Sequence, residues 1–125
     1  MSDLFGIWLE RGEAELGEPL SGKVVFPAAD EKLLKVKAVT LRVFCSIHGS
    51  GNSESVTLLD TTVHQGPVEG PLELPFQFTL PERGPVSWQG RHVKMDWTVL
   101  ATLDIPWAID PKRTLEFKAL PRRRR

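Results

Sequence analysis

Hydrophobic and polar residues alternate along much of this chain, most regularly over residues 93–105. In that run the odd-numbered positions are apolar and the even-numbered positions are polar, apart from Leu100. A second alternating run covers residues 72–80. Because successive side chains of a strand point to opposite faces, a period of two predicts strands with one buried face and one solvated face.

The same reasoning predicts five more strands, separated by segments rich in Gly, Pro, Asn and Asp. They cover residues 4–9, 20–26, 34–48, 55–64 and 113–120. Residues 55–64 alternate weakly, which is typical of an edge strand, and residues 10–18 are predicted to form a loop. About seven strands without a convincing helix predict an all-β, immunoglobulin-like β-sandwich of two antiparallel sheets.

Two residues on the apolar faces of these strands carry separate expectations. Gly22, inside a predicted strand, indicates a bulge or a close approach of another backbone. Cys45 is in phase with its apolar neighbours, so we expect it to pack as a small hydrophobic residue and not to act as a catalytic thiol. The side chains expected in the core are Phe26, Leu41, Val43, Phe76, Phe78, Trp97, Val99, Leu103 and Phe117.

Length and charge suggest one domain, residues 1–120, followed by a basic and disordered tail, residues 121–125. The tail residues Arg122, Arg123, Arg124 and Arg125 carry four of the sixteen basic side chains, and the formal net charge is zero. The rest of the chain is therefore mildly acidic, with 12 basic and 16 acidic residues. Without a positive field over the whole chain, no nucleic-acid partner is expected.

The chain has a single cysteine, which excludes an internal disulfide and favours a reducing compartment. The first residues lack the basic and apolar regions of a secretory signal. No run of about 18 apolar residues occurs, so no transmembrane segment is expected. These features predict a cytoplasmic protein.

No arrangement of reactive residues predicts catalysis. His48, His64 and His92 are far apart in the sequence and indicate no metal site. Asp96 and Asp104 share one strand face at about 26 Å, too far apart to act as paired carboxylates on one bond. The Gly-rich segment 49–53 lacks the lysine and the helix of a phosphate-binding loop. We therefore expect no enzyme activity, no cofactor and no metal.

Three segments in order resemble arrestin-type domains. Residues 75–81 form a Phe-x-Phe-x-Leu-Pro run, residues 85–90 a Pro-x-Ser-x-x-Gly connection, and residues 97–106 a long strand ending in Asp-Ile-Pro. Residues 17–24 and the alternation of Val39, Leu41 and Val43 also match the pattern. Over roughly residues 4–117 the chain resembles one arrestin-like lobe, similar to bacterial arrestin-like proteins such as the sporulation-control family.

The resemblance implies a non-enzymatic binding or scaffolding module. Arrestins usually have two such lobes, and neither their buried charged switch nor a PPxY-type tail can be placed here. Receptor binding, phosphate sensing and ubiquitin-ligase recruitment are therefore not expected. The expected partner is a protein, bound at a sheet edge or on the concave face, and self-association through edge strands is an alternative.

Two tryptophans in predicted connections suggest a second function. Trp88 and Trp107, if exposed, would suit a glycan or another small ligand, whereas in the buried case they would plug the ends of the sandwich. The arginine tail either contacts nucleic acid, an anionic lipid head group or an acidic partner, or it stays solvated. A hydrolase with an unrecognised site is the weakest hypothesis.

Overall fold

The computed structural model describes residues 4–49, 51–90, 93–106 and 109–122, which form nine strands and one short 3-10 helix, η1. The strands are β1 (Gly6–Leu9), β2 (Glu13–Glu15), β3 (Pro19–Phe26), β4 (Ala38–Gly49), β5 (Asn52–Gln65), β6 (Leu72–Thr79), β7 (Trp88–Gln89), β8 (Lys94–Asp104) and β9 (Lys112–Leu120). Helix η1 is Glu31–Lys35. The all-β prediction is confirmed.

The strands form the two sheets of a sandwich. The smaller sheet has the order β1-β3-β6, and the larger has the order β2-β9-β8-β4-β5, with β7 also paired to β8. Strand β5 is at an edge, as its weak alternation predicted. The pairings are antiparallel except that β2 runs parallel to β9, with Glu13 opposite Lys118. The expectation of two purely antiparallel sheets is therefore corrected at this edge.

Short elements account for the other differences from the predicted strands. Strand β2 lies in the segment predicted to be a loop, and its three residues with one buried side chain, Ala14, are too few for a period to show. Strand β7 has only two residues. Helix η1 occupies the predicted start of the third strand, because the Asp30 carboxylate accepts the backbone N–H of Lys32 at 2.9 Å and caps it.

The apolar faces of both sheets meet in one core. The ring centroids of Phe78, from β6, and Phe117, from β9, are 5.6 Å apart, and Trp97 packs on Phe117 at 6.0 Å. Eight of the nine predicted core side chains are buried. The exception is Phe76, which is half-buried and packs against the core with its ring close to Gly22.

Gly22 permits the close approach that its position predicted. A Cβ atom at this residue would clash with the backbone oxygen of Trp8 and would lie 2.6 Å from the ring of Phe76 and 2.8 Å from the side chain of Leu9. Any larger residue would therefore force β1 away from β3.

The Pro-x-Ser-x-x-Gly connection is held to the larger sheet by specific hydrogen bonds. The Ser87 N–H donates to the Ala119 carbonyl at 2.9 Å, and the Ser87 hydroxyl accepts the Ala119 N–H at 2.9 Å. The buried indole of Trp97 donates to the Pro85 carbonyl at 2.8 Å. These bonds fix the segment that carries Trp88.

Candidate functional site

The structure places two of the six residues proposed as contacts. Trp88 lies in β7 with 55% of its surface exposed. Arg122 follows β9, and its Nη1 lies 3.9 Å from the Glu82 carboxylate, with both side chains exposed. Trp107, Arg123, Arg124 and Arg125 lie outside the described residues, as does His92.

Trp88 borders a surface groove of about 480 Å³, called the Trp88 groove here. Its lining residues are Gly12, Ser87, Trp88, Asp96, Glu116, Phe117, Lys118 and Leu120. The Trp88 indole lies against Gly90, where a Cβ atom would clash with it. Lys94 Nζ is 3.5 Å from the Asp96 carboxylate. The groove thus combines an exposed aromatic ring with charges of both signs.

A larger cavity of about 760 Å³ lies near the opposite end of β8, where Ile105 follows the strand. It is lined by Leu4, Lys32, Lys35, Ile105, Pro106, Ile109 and Pro111. The Asp110 carboxylate accepts the Ile105 N–H at 3.1 Å. This cavity was not predictable from the sequence, because its lining comes from separate segments.

The third candidate surface is the free edge of β5. In the described part of the chain the sheet edges belong to β1, β2, β5, β6 and the two-residue β7. Strand β1 has four residues and β2 has three, and β6 contains Pro75, which has no backbone N–H to donate. Strand β5 has 14 residues and pairs with β4 alone. It therefore provides the longest row of backbone groups without a strand partner.

Hydrogen bonds of β8 reveal which backbone groups of β5 face outward. The Leu103 N–H donates to the Pro111 carbonyl, whereas the Asp104 carbonyl accepts from the Lys37 N–H. Odd-numbered residues of β8 therefore direct their backbone N–H and C=O groups toward β9, and even-numbered residues direct theirs toward β4. Even-numbered residues of β4 lie opposite even-numbered residues of β8 and bond to them, so odd-numbered residues of β4 direct their backbone groups toward β5. The residues opposite them, including Glu54 and Val56, turn their backbone groups inward, and Ser53, Ser55 and Thr57 turn theirs outward. Sequence alone could not assign these roles.

The side chains near this edge are open to solvent. Residues 52–57 are all exposed, and 46% of the surface of Val56 is accessible. Arg42 donates a hydrogen bond to the Thr57 hydroxyl at 2.8 Å. The register shifts between Val43 and Phe44, so the regular outer part of the β4–β5 hairpin ends at a bulge beyond Thr57.

The cysteine and two of the histidines lie in separate surroundings within the described ranges. Cys45 is fully buried, as predicted, and burial, with the negative charge of Asp96 as a second cause, raises the pKa of its thiol. His48 Nδ1 lies 3.1 Å from the Ser53 hydroxyl, and His64 Nε2 lies 3.1 Å from the Pro67 carbonyl. Among the described residues no three His, Cys, Asp or Glu side chains are grouped as a metal ion would require.

Comparison with protein families places this fold. The family model described as "Arrestin (or S-antigen), N-terminal domain" matches residues 60–123, more than half of the chain. The chain belongs to this arrestin family. The matched part of this arrestin-family chain includes the Phe-x-Phe run, the Pro-x-Ser-x-x-Gly connection and the Asp-Ile-Pro step, so the resemblance seen in the sequence is confirmed.

A solved structure shows the same architecture. Spo0M, a sporulation control protein from Bacillus subtilis, matches this arrestin-family chain with a TM-score of 0.63 and 19% sequence identity. The match covers 96% of the present chain. The chain spans 49% of that protein, and at this identity the likeness concerns the fold alone. No curated protein matches the sequence. The arrestin-like fold supports a role in protein interaction or scaffolding in general.

In the described part of the chain, no helix is long and apolar enough to cross a membrane.

Proposed function

We propose that this arrestin-family domain is a non-enzymatic protein-binding or scaffolding module that takes an extended segment of its partner as an additional strand beside β5. The observation that carries the proposal is that β5 has 14 residues and one paired edge in the described structure. Unpaired backbone groups on a sheet edge are a template for strand addition, in which main-chain hydrogen bonds supply affinity.

The outer part of β5 is the most suitable place for the added strand. Residues 52–57 stay in continuous register with β4, from Asn52 opposite Gly49 to Thr57 opposite Phe44. Six residues extend for about 20 Å, the usual length of a strand in a sheet. Three outward-facing residues in this stretch, Ser53, Ser55 and Thr57, would supply the main-chain bonds.

We also propose a domain extent, a location and a role for the basic tail. Residues 1–120 act as one domain in the cytoplasm, and the basic tail at residues 121–125 adds an electrostatic contact. A single, buried thiol is compatible with a reducing compartment. Members of the arrestin family bind protein partners, which favours a protein over a small molecule.

A second candidate function is the binding of a glycan or another small ligand in the Trp88 groove. An exposed indole beside carboxylates offers both stacking and hydrogen-bond acceptors, as sugar-binding sites do. Trp107 was expected to share this role, and it lies outside the described residues. Quenching of tryptophan fluorescence by a panel of sugars, lost in Trp88→Phe, would favour this function over strand addition.

The test of strand addition removes one outward backbone N–H. The whole chain is used to select binders from a library of random 12-residue peptides, and their affinities are measured by fluorescence anisotropy. Ser55→Pro deletes the N–H that faces outward, and Ser55→Ala keeps it while removing the same hydroxyl. We expect unchanged binding to Ser55→Ala and at least about tenfold weaker binding to Ser55→Pro, as for the loss of one well-formed hydrogen bond.

Circular dichroism and urea unfolding show whether Ser55→Pro remains folded. Equal binding to the proline and alanine variants, or loss of binding on Trp88→Ala alone, would reject strand addition at β5. A failure to select any binder would also reject it.

A further inference from the structure

The charge of β5 is all of one sign. Strand β5 contains Glu54 and Asp60 and has neither lysine nor arginine, although the chain has sixteen basic residues. The two acidic residues occupy different surroundings. Asp60 lies opposite Arg42 in the register, whereas Glu54 lies opposite Ile47. Among the described residues Glu54 forms no ion pair, so its charge is available to a strand added beside it.

Glu54 and Val56 form a two-part recognition feature. They are two residues apart, so they project from the same face of β5, and both are exposed. Their partners on β4 are Ile47 and the buried Cys45, which places them on the core-facing side of the sheet. A neighbouring strand would meet a carboxylate and an apolar side chain there, at the spacing of alternate residues.

A second copy of the chain is a poor occupant of this edge. Pairing centred on Glu54 would set the two glutamates against each other. Like charges directly opposite on neighbouring strands are destabilising, and β5 supplies no cation to offset them in another register.

We propose that the added strand carries a basic residue and an apolar residue separated by one position, the basic side chain facing Glu54 and the apolar one facing Val56. This inference rests on the proposed function, because it assigns the chemistry of the partner at the same edge. The basic and apolar pair appears in either order along the partner, since the added strand can run in either direction.

The test compares peptide selection on charge variants of the folded chain. Random 12-residue peptides are selected separately on the unaltered chain and on Glu54→Lys. Glu13→Lys is the matched control, because this substitution makes the same change in net charge. Glu13 is exposed on β2, at the opposite edge of the same sheet. Ser55→Pro is measured against every selected peptide.

Peptides selected on the unaltered chain and on Glu13→Lys should contain a lysine or arginine that is separated by one residue from an apolar residue. Peptides selected on Glu54→Lys should contain an acidic residue in place of the basic one. Basic peptides should bind Glu54→Lys roughly 3- to 30-fold more weakly, as for a cross-strand attraction turned into repulsion. Glu54→Gln should be intermediate, and the affinity should fall as salt is added.

Peptides that lose binding to Ser55→Pro but show no charge preference would overturn this inference and leave strand addition standing. Peptides that bind Ser55→Pro as well as Ser55→Ala would overturn strand addition itself. A dimer of the unaltered chain in sedimentation, dissociated by Ser55→Pro, would identify a second copy as the occupant and would also overturn the inference.

Discussion

Strands β4 and β5 form one hairpin of similar strand lengths, yet they differ in almost every other respect. Strand β4 is paired on both sides, and four of its alternate side chains, from Val39 to Cys45, are fully buried. Strand β5 is paired on one side, and most of its side chains are exposed. Both strands are extended, but β4 contributes side chains to the core, whereas β5 leaves the backbone groups of one edge without a strand partner.

This contrast explains where stability and binding are expected to lie. Side chains of β4 contribute through the apolar area that they remove from water, whereas β5 contributes mainly through its bonds to β4. The outward side of β5 adds little to the fold, so it can be altered without unfolding the domain. Experiments that treat matched positions of the two strands differently can therefore test the account.

The largest difference should come from truncating opposed side chains. Leu41 is completely buried in β4, and its register partner on β5 is the exposed Thr61. Leu41→Ala should lower the free energy of unfolding by about 2–5 kcal/mol, because it leaves a cavity. Thr61→Ala should change it by less than about 0.5 kcal/mol. Urea unfolding measures both, and equal losses would contradict the division between core strand and edge strand.

The next difference concerns two neighbouring residues of β5. Val56→Pro removes an N–H directed at β4 and leaves a carbonyl without its donor, so it should cost about 1–3 kcal/mol of stability. Ser55→Pro removes an outward N–H and should cost less than about 1 kcal/mol. Val56→Ala controls for the lost side chain. A reversed order would mean that the inward and outward assignments are wrong.

The smallest effect is a pH dependence from the core side of β4. Burial raises the pKa of the Cys45 thiol, so the folded state retains its proton while the unfolded chain ionises above a pH of about 8.5. Stability should therefore fall as the pH rises beyond that value, by at most about 1.4 kcal/mol per pH unit. Cys45→Ala lacks this dependence. Parallel stability curves for the two proteins above pH 9 would contradict it.

Much of the sandwich was predictable because period-two alternation survives wherever one face of a strand is buried. Strand β8 shows this best, since Trp97, Val99, Ala101 and Leu103 are buried in the predicted phase, and Thr98 is the one buried residue of the strand on the other face. Strand β2 was not predicted because three residues are too few to show an alternating pattern. Its position next to β9 is supported by the Leu16 N–H, which donates to the Leu120 carbonyl. That contact joins distant segments, which a local pattern cannot record.

The candidate site was less predictable than the fold. Composition identified Trp88, and its exposure followed only from the way Ser87 and Gly90 hold β7. Weak alternation indicated that β5 is an edge. Which of its N–H groups face outward depends on pairing across three strands, and the sequence of β5 contains no signal for that.

The most direct test of strand addition is residue-resolved hydrogen exchange of the β5 amides, with and without a selected peptide. Without peptide, the amides of Glu54 and Val56 should exchange more slowly than those of Ser53, Ser55 and Thr57. With peptide bound, the three outward amides should become protected while those at the Trp88 groove stay unchanged. Protection confined to residues of the Trp88 groove, with β5 unaffected, would contradict the account.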